Sequence, residues 1–213
     1  MQIAILLFDR LTTLDAIGPY QVLNQLPDSE LVFVGERRGV IRGEHNGLGL
    51  VVDAELAEVG SPDLIVVPGG IGQHDHMADG PVHEWLRAAD ATSTWTTSVC
   101  TGSLILAAAG LLTGRRATTH WLAMDALASF GVQPTSERVV FDGKYVTAAG
   151  VSAGIDMGLT LAGTIAGADF AKSVQLGMEY DPQPPFDAGS PAKAPEELVA
   201  RMRARSRFIL QGS

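Results

Sequence analysis

Residues 96–109 read TTSVCTGSLILAAA, a β-branched segment that runs directly into an apolar one. The first part is typical of a buried strand and the second of a helix, which places Cys100 at a sharp elbow between them. We expect the sulfur to face the positive end of the helix, an arrangement that lowers a thiol pKa and produces a nucleophile. An inert core thiol is the alternative for a lone cysteine in apolar surroundings.

Length, charge and cysteine content restrict the class of protein. The 213 residues fit one domain over residues 1–213, and the single cysteine cannot form an internal disulfide. The net charge of −9 argues against a nucleic-acid partner. Residues 1–8 are typical of a core strand rather than a signal peptide, and no apolar run reaches the length of a membrane span. We therefore expect a cytoplasmic protein with neither a membrane nor a nucleic acid as partner.

Strand and helix patterns alternate along the chain. Strands are predicted at residues 2–8, 30–35, 63–67 and 93–99, hairpins around residues 45–47 and 142–143, and helices at residues 15–26, 82–91, 101–109, 121–130 and 155–165. This alternation predicts an α/β fold, a flavodoxin-like three-layer sandwich with a mainly parallel sheet, helices on both faces and a nucleophile elbow. Sites in such sheets lie at the carboxyl ends of the strands.

The C-terminal part has a different composition. Prolines recur at positions 182, 184, 185, 191 and 195, so residues 180–195 cannot form a regular helix or a central strand. We expect this segment to cover the surface or to contact a partner subunit. A last helix is predicted over residues 196–210, with acidic residues in its first turn and arginines, including Arg207, further along.

Three blocks carry a resemblance to a known group of proteins. They are Pro68-Gly69-Gly70, Val99-Cys100-Thr101-Gly102 and residues 116–121, RATTHW. Together they resemble the ThiJ/PfpI superfamily, which has a class I glutamine amidotransferase-like fold. An acid at the start of the first helix, in LDAIGPY at residues 14–20, and the Pro-rich tail are similar to the isonitrile hydratases over nearly the whole chain.

The resemblance implies a reaction and roles for individual residues. Water would add to an isonitrile, R–N≡C, and give the N-substituted formamide through a thioimidate on Cys100. Asp15 would supply the proton, with a pKa raised by burial and by the neighbouring thiolate. Thr101 completes the catalytic trio, and backbone N–H groups of Gly70 and Thr101 would form an oxyanion-type pocket. The resemblance also implies a homodimer that needs neither cofactor nor metal.

Further residues are assigned to the pocket or have a second interpretation. Gly69, Gly150 and His120 are assigned to the substrate pocket, although His120 also fits simple packing and Gly150 a tight turn. Asp15 also has the position of a helix cap, and Thr101 that of a first-turn helix residue. The sequence His74-Asp75-His76 has the residue types of a metal site, but alternate residues on a loop predict solvation instead.

Two alternative functions remain open at this stage. Another activity of the superfamily, such as glyoxalase-type hydration of α-oxoaldehydes, would use the same nucleophile. A non-enzymatic ligand or oxidation sensor, related to the sensory domains of AraC-type regulators, would share the middle motifs. Those regulators normally carry a DNA-binding module after the sensory domain, and we expect none in a chain of 213 residues.

Overall fold

The fold is built around a central sheet. The structure is a computed structural model that describes residues 1–206. The strands are β1 (Gln2–Leu6), β2 (Glu30–Gly35), β3 (Gly39–Arg42), β4 (Gly49–Val52), β5 (Ala54–Glu55), β6 (Leu64–Val67), β7 (Trp95–Val99), β8 (Arg116–Ala117), β9 (Gln133–Pro134), β10 (Val139–Asp142) and β11 (Tyr145–Ala148). The main sheet has the order β10-β11-β7-β6-β1-β2-β5. Its neighbouring strands are parallel except β10 and β11, which are antiparallel.

The helices lie in two groups. They are α1 (Thr13–Leu23), α2 (Pro81–Asp90), α3 (Gly102–Ala108), α4 (Met124–Ala128), α5 (Ala153–Ala166), α6 (Ala168–Gly177) and α7 (Glu196–Ala204). Helix α5 packs against both α1 and α6, whereas α3 contacts α2 and α4. This arrangement confirms the predicted flavodoxin-like α/β fold with a mainly parallel sheet and helices around it.

Strands β1 and β6 are apolar on both faces because helices cover both sides of the sheet. Residues 3–6 of β1 and 64–67 of β6 are fully buried. The register pairs Ile3 with Leu64 and Leu64 with Trp95, so β1, β6 and β7 run side by side in the same direction. Their carboxyl ends therefore meet at one edge of the sheet, where the segments after β6 and β7 approach each other.

The two predicted hairpins are confirmed. Strands β3 and β4 pair antiparallel in a separate two-stranded sheet, and the loop between them contains a short 3₁₀ turn at Glu44–Asn46. Strands β10 and β11 pair antiparallel around Gly143, which has a φ of 61°. A positive φ is what a two-residue hairpin turn requires of its glycine.

The predicted helices differ from those of the structure in three places. The helix expected at residues 121–130 is a 3₁₀ turn at Trp121–Ala123 followed by the short helix α4. Helix α6 was not predicted, since Gly167 ends α5 as expected but also begins the next helix directly. The C-terminal helix ends at Ala204 rather than at residue 210, and Arg207 lies outside the described residues.

The Pro-rich segment contains no helix or strand between the end of α6 and the start of α7, as its composition predicts. It lies near Trp121, because a small cavity of about 110 Å³ is lined by that side chain, Pro191 of the segment and Met202 of α7. In the described part of the chain, none of the helices has the length and apolar character needed to cross a membrane.

Candidate active site

Cys100 occupies a strained turn between β7 and α3. Its φ of 56° lies in the left-handed region, which non-glycine residues rarely adopt. The Cys100 N–H donates to the carbonyls of Ala148 and Ala149 at 3.1 and 3.0 Å, and the hydroxyl of Thr119 donates to the Cys100 carbonyl at 3.0 Å. These bonds hold the unfavourable conformation at the end of β11, as strained functional residues require. The predicted elbow is therefore present.

Asp15 is buried beside this elbow. It lies in the first turn of α1, is fully shielded from solvent, and its Oδ2 accepts a hydrogen bond from the Gly69 N–H at 2.9 Å. Oδ1 is buried without a well-formed hydrogen bond to the described residues. The carboxyl nevertheless lies close enough to the Cys100 thiol for each group to shift the pKa of the other. Asp15 and Cys100 therefore form one titrating pair.

The pKa of Asp15 is raised by burial, as the sequence predicts, but the expected contribution of the neighbouring thiolate is wrong, because Cys100 lowers this pKa through a hydrogen bond. The pKa is about 7 instead of the ordinary 3.8; burial is the largest cause, and the charge of Glu44 adds a smaller increase. The hydrogen bonds with Gly69 and Cys100 act in the opposite direction, since they stabilise the carboxylate. A carboxyl of this kind exchanges its proton near neutral pH.

The expectation of a lowered thiol pKa is wrong. Burial and the charge of Asp15 raise the pKa of Cys100 well above its ordinary value. Backbone N–H groups of Val151 and Thr101 donate to the sulfur and favour the thiolate, but the loss of hydration is the larger effect. Asp15 consequently loses its proton at lower pH than Cys100, and the pair keeps one proton between these two ionisations.

A glycine loop after β6 closes the other side of the pair. A Cβ atom on Gly69 would lie 2.4 Å from the Thr101 backbone nitrogen, closer than atoms can approach. Gly70 has a φ of 125°, and a Cβ there would lie 2.3 Å from the Thr12 nitrogen. Only glycine permits both the close approach and the backbone conformation. The two glycines thus let the loop contact α1 and the elbow at the same time.

Thr101 uses its hydroxyl as a link to this loop. Its Oγ1 accepts a hydrogen bond from the Gly70 N–H at 3.0 Å, while its backbone N–H donates to the Cys100 sulfur. These contacts occupy both backbone N–H groups that the sequence assigned to an oxyanion-type pocket. Because the Thr101 oxygen accepts a hydrogen bond from Gly70, the hydroxyl can donate its own proton to a second partner.

His120 lies on the same cavity as Cys100 but is not hydrogen-bonded to it in the described part of the chain. Its Nδ1 accepts from the Leu122 N–H at 3.3 Å, and burial lowers its pKa, so the ring is neutral. Gly150 makes room for this ring, since a Cβ on Gly150 would lie 2.8 Å from His120 Cδ2. Gly150 itself lines a second cavity, to which His120 and Pro191 also contribute.

The cavity above Cys100 has a volume of about 390 Å³ and includes residues that sequence reasoning missed. Val151, after Gly150, has a φ of 34°. Glu44 comes from the β3–β4 loop, and Met202 and Arg205 come from α7 and its end. Strain at Val151 has no signature in the sequence, and the other contacts join segments far apart in the chain. Among residues 1–206, no group of three or more His, Cys, Asp or Glu side chains is placed to hold a metal ion.

The fold and the site together define an α/β protein with a cysteine elbow paired to a buried acid. Residues 1–164 match the model of the DJ-1/PfpI family, and the chain belongs to that family. It is 44% identical to an isonitrile hydratase of Pseudomonas putida over 206 residues, which cover 97% of this chain and 90% of that enzyme.

Further relatives agree with this placement. The solved structure of a ThiJ/PfpI family protein from Pseudomonas syringae is 37% identical, covers 96% of this chain and 85% of its own, and superposes with a TM-score of 0.92. The HTH-type transcriptional regulator CdhR of Pseudomonas aeruginosa is 37% identical over 131 residues, 61% of this chain and 39% of the regulator. The regulator therefore shares only part of the chain.

Proposed function

We propose that this protein is an isonitrile hydratase that uses Cys100 as nucleophile and Asp15 as acid and base. The observation that carries the proposal is the buried Asp15–Cys100 pair, in which burial raises the pKa of the acid to about 7. Support for the substrate class comes from the identity to the Pseudomonas putida hydratase along nearly the whole chain. No comparison favours glyoxalase-type chemistry or a sensor role over this reading.

The first step forms a thioimidate. The isonitrile carbon must gain both a nucleophile and a proton, and the pair with one proton supplies both. Asp15 takes the thiol proton and delivers it to the carbon as the sulfur adds. The S–H bond breaks, while C–S and C–H bonds form, and the product is Cys100–S–CH=N–R. Because the pKa of the Cys100 thiol is strongly raised, the mechanism does not start from a free thiolate; the proton leaves the sulfur as the C–S bond forms.

The second step releases the formamide. Asp15, now a carboxylate, accepts a proton from water as the water oxygen adds to the thioimidate carbon. Asp15 passes this proton to the nitrogen, which gives Cys100–S–CH(OH)–NH–R, and the Thr101 hydroxyl would hydrogen-bond that nitrogen. The C–S bond then breaks as Asp15 carries the proton of the hydroxyl group to the sulfur, which restores the thiol and the carboxylate, and R–NH–CHO leaves. The substrate, water, Cys100 and Asp15 supply all the atoms and protons of both steps, so the proposed reaction uses no cofactor.

Formamide production from a simple alkyl isonitrile tests this function. We expect turnover by the wild type and a loss of about 10³-fold or more in both Cys100→Ala and Asp15→Asn, since nucleophile and proton carrier act in the same steps. Chromatography of the formamide measures the rate. Failure of the wild type over a broad panel of isonitriles would exclude the hydratase, whereas full activity of Asp15→Asn would exclude only the role of the acid.

We also propose a cytoplasmic homodimer. Val40, Leu48 and Val51 of the β3–β4 hairpin are more than half exposed, which a covering second subunit would explain. Sedimentation equilibrium checks the dimer, with Val51→Lys expected to shift the mass toward the monomer. An unchanged mass for this variant would place the contact elsewhere, and a monomeric wild type would exclude the dimer.

A further inference from the structure

Glu44 connects the β3–β4 hairpin to the glycine loop of the active site. Its backbone N–H donates to the Leu11 carbonyl at 3.0 Å, and its Oε1 accepts from the Ile71 N–H at 2.8 Å. The side chain is half-buried and lines the cavity that contains Cys100. Glu44 is therefore held in place from both ends at the edge of the catalytic cavity.

Three successive N–H groups of the glycine loop bind side chains from three different elements. The Gly69 N–H donates to Asp15 of α1, the Gly70 N–H to Thr101 of the elbow, and the Ile71 N–H to Glu44 of the hairpin. Adjacent peptides cannot shift independently, particularly where Gly70 is wedged against Thr12. The Glu44 contact thus helps to fix the orientation of the two N–H groups that hold the catalytic side chains.

The charge of Glu44 also acts on the catalytic pair. Its carboxylate raises the pKa of Asp15 and works against the burial that lowers the pKa of His120. Among the described residues, Cys100 and Glu44 are the titratable side chains that act on Asp15. The neutral His120 and the guanidinium of Arg205 lie on the same cavity. The negative charge of Glu44 therefore favours the form of the Asp15–Cys100 pair that keeps its proton.

We propose that Glu44 is a positioning residue with two separable roles: one carboxylate oxygen fixes the Gly69–Ile71 loop, and its negative charge helps to retain the proton shared by Asp15 and Cys100. The inference rests on the proposed hydratase function for its catalytic consequence, but the charge effect exists without any substrate.

Two substitutions separate these roles. Glu44→Gln keeps an oxygen that accepts from the Ile71 N–H and removes the charge, whereas Glu44→Ala removes both. Glu84→Gln is the matched control for net charge, because Glu84 is exposed on α2 and does not line the catalytic cavity. The first readout is alkylation of the single cysteine by iodoacetamide as a function of pH, which needs no turnover. The second is the pH profile of formamide production.

We expect Glu44→Gln to move the acid limb of both profiles down by about half a pH unit, because losing the negative charge lowers the pKa of Asp15. Its maximal formamide rate should fall less than about threefold, whereas Glu44→Ala should lose about tenfold or more with the same shift. An unshifted alkylation profile in Glu44→Gln would overturn the charge role. Equal maximal rates in the Gln and Ala variants would overturn the positioning role. If the wild type hydrates no isonitrile, the alkylation profile still decides the charge role.

Discussion

At the scale of single residues, the acid and the thiol cannot be treated separately. Both are buried, and burial raises the pKa of each. The sequence predicted the raised pKa of Asp15 but the opposite direction for Cys100, because the elbow motif shows the helix end and not the depth of burial. Desolvation depends on contacts between α1, the glycine loop and the backbone at Val151, and these are set by the tertiary structure.

The raised pKa of Asp15 has a consequence for stability. The protonated carboxyl makes its full contribution to the free energy of unfolding below its ordinary pKa of 3.8. This contribution is lost as the pH rises through about 7, and the loss in stability is on the order of 4 kcal/mol. Asn keeps an oxygen for the Gly69 N–H and carries no charge. We therefore expect Asp15→Asn to be more stable than the wild type at pH 8 and similar at pH 4, while it loses activity.

Urea unfolding of both proteins at the two pH values measures this difference. Asp28→Asn is a suitable control, because Asp28 lies exposed in a turn. A stability gain of the same size at pH 4 and pH 8 would show that the ionisation of Asp15 is not its cause.

At the scale of elements, the sequence predicted those with a local signature. The strands around β6 and β7, both hairpins and the elbow have apolar runs or turn residues that identify them. The segment after His120 does not, because the change from a 3₁₀ turn to helix α4 occurs at Ala123, where φ is −110°, and no turn residue in the sequence marks it. Helix α6 was missed because only Val174 among its residues is buried, so its sequence lacks the apolar stripe of a helix packed on a core. The roles of Glu44 and of α7 arise from contacts between distant segments.

The contact between the glycine loop and the elbow gives a prediction at this scale. Gly69→Ala should destabilise the protein by roughly 2–4 kcal/mol, since the new methyl group meets the Thr101 backbone nitrogen rather than a flexible side chain. Gly60→Ala is the matched control, because its Cβ would have no atom within 4 Å and should change stability by less than about 0.5 kcal/mol. Guanidinium unfolding of both variants measures the effect. Equal stabilities would show that the loop relaxes away from the elbow.

At the scale of the whole molecule, the C-terminal part belongs to the active site. Residues 1–164 match the family model, yet Met202 and Arg205 line the cavity above Cys100. The part of the chain that matches the family model therefore contains the elbow cysteine and the buried acid, while a segment beyond it supplies part of the cavity wall. The sequence predicted a helix over residues 196–210 but not its place in the fold, because no local pattern shows that it returns to the edge of the sheet where Cys100 lies.

This wall should influence which isonitriles react. Met202→Ala removes a long side chain shared by the catalytic cavity and the small cavity beside Trp121. We expect the ratio of kcat/KM for cyclohexyl over methyl isonitrile to rise by about threefold or more, because the cavity widens where the substituent must fit. Leu176→Ala, at an exposed position on α6, is the control. An unchanged ratio in Met202→Ala would place the substituent against another wall.

The glycine loop also has a consequence for the interpretation of variants. Asp15, Thr101 and Glu44 each bind one of three adjacent N–H groups, so a shift caused by losing one partner changes the geometry available to the other two. Their contributions are energetically coupled, and the effects of single substitutions cannot be added to give those of doubles. The functional unit of this site is therefore a network of three side chains on one loop, and a double-mutant cycle is the measurement that apportions energy within it.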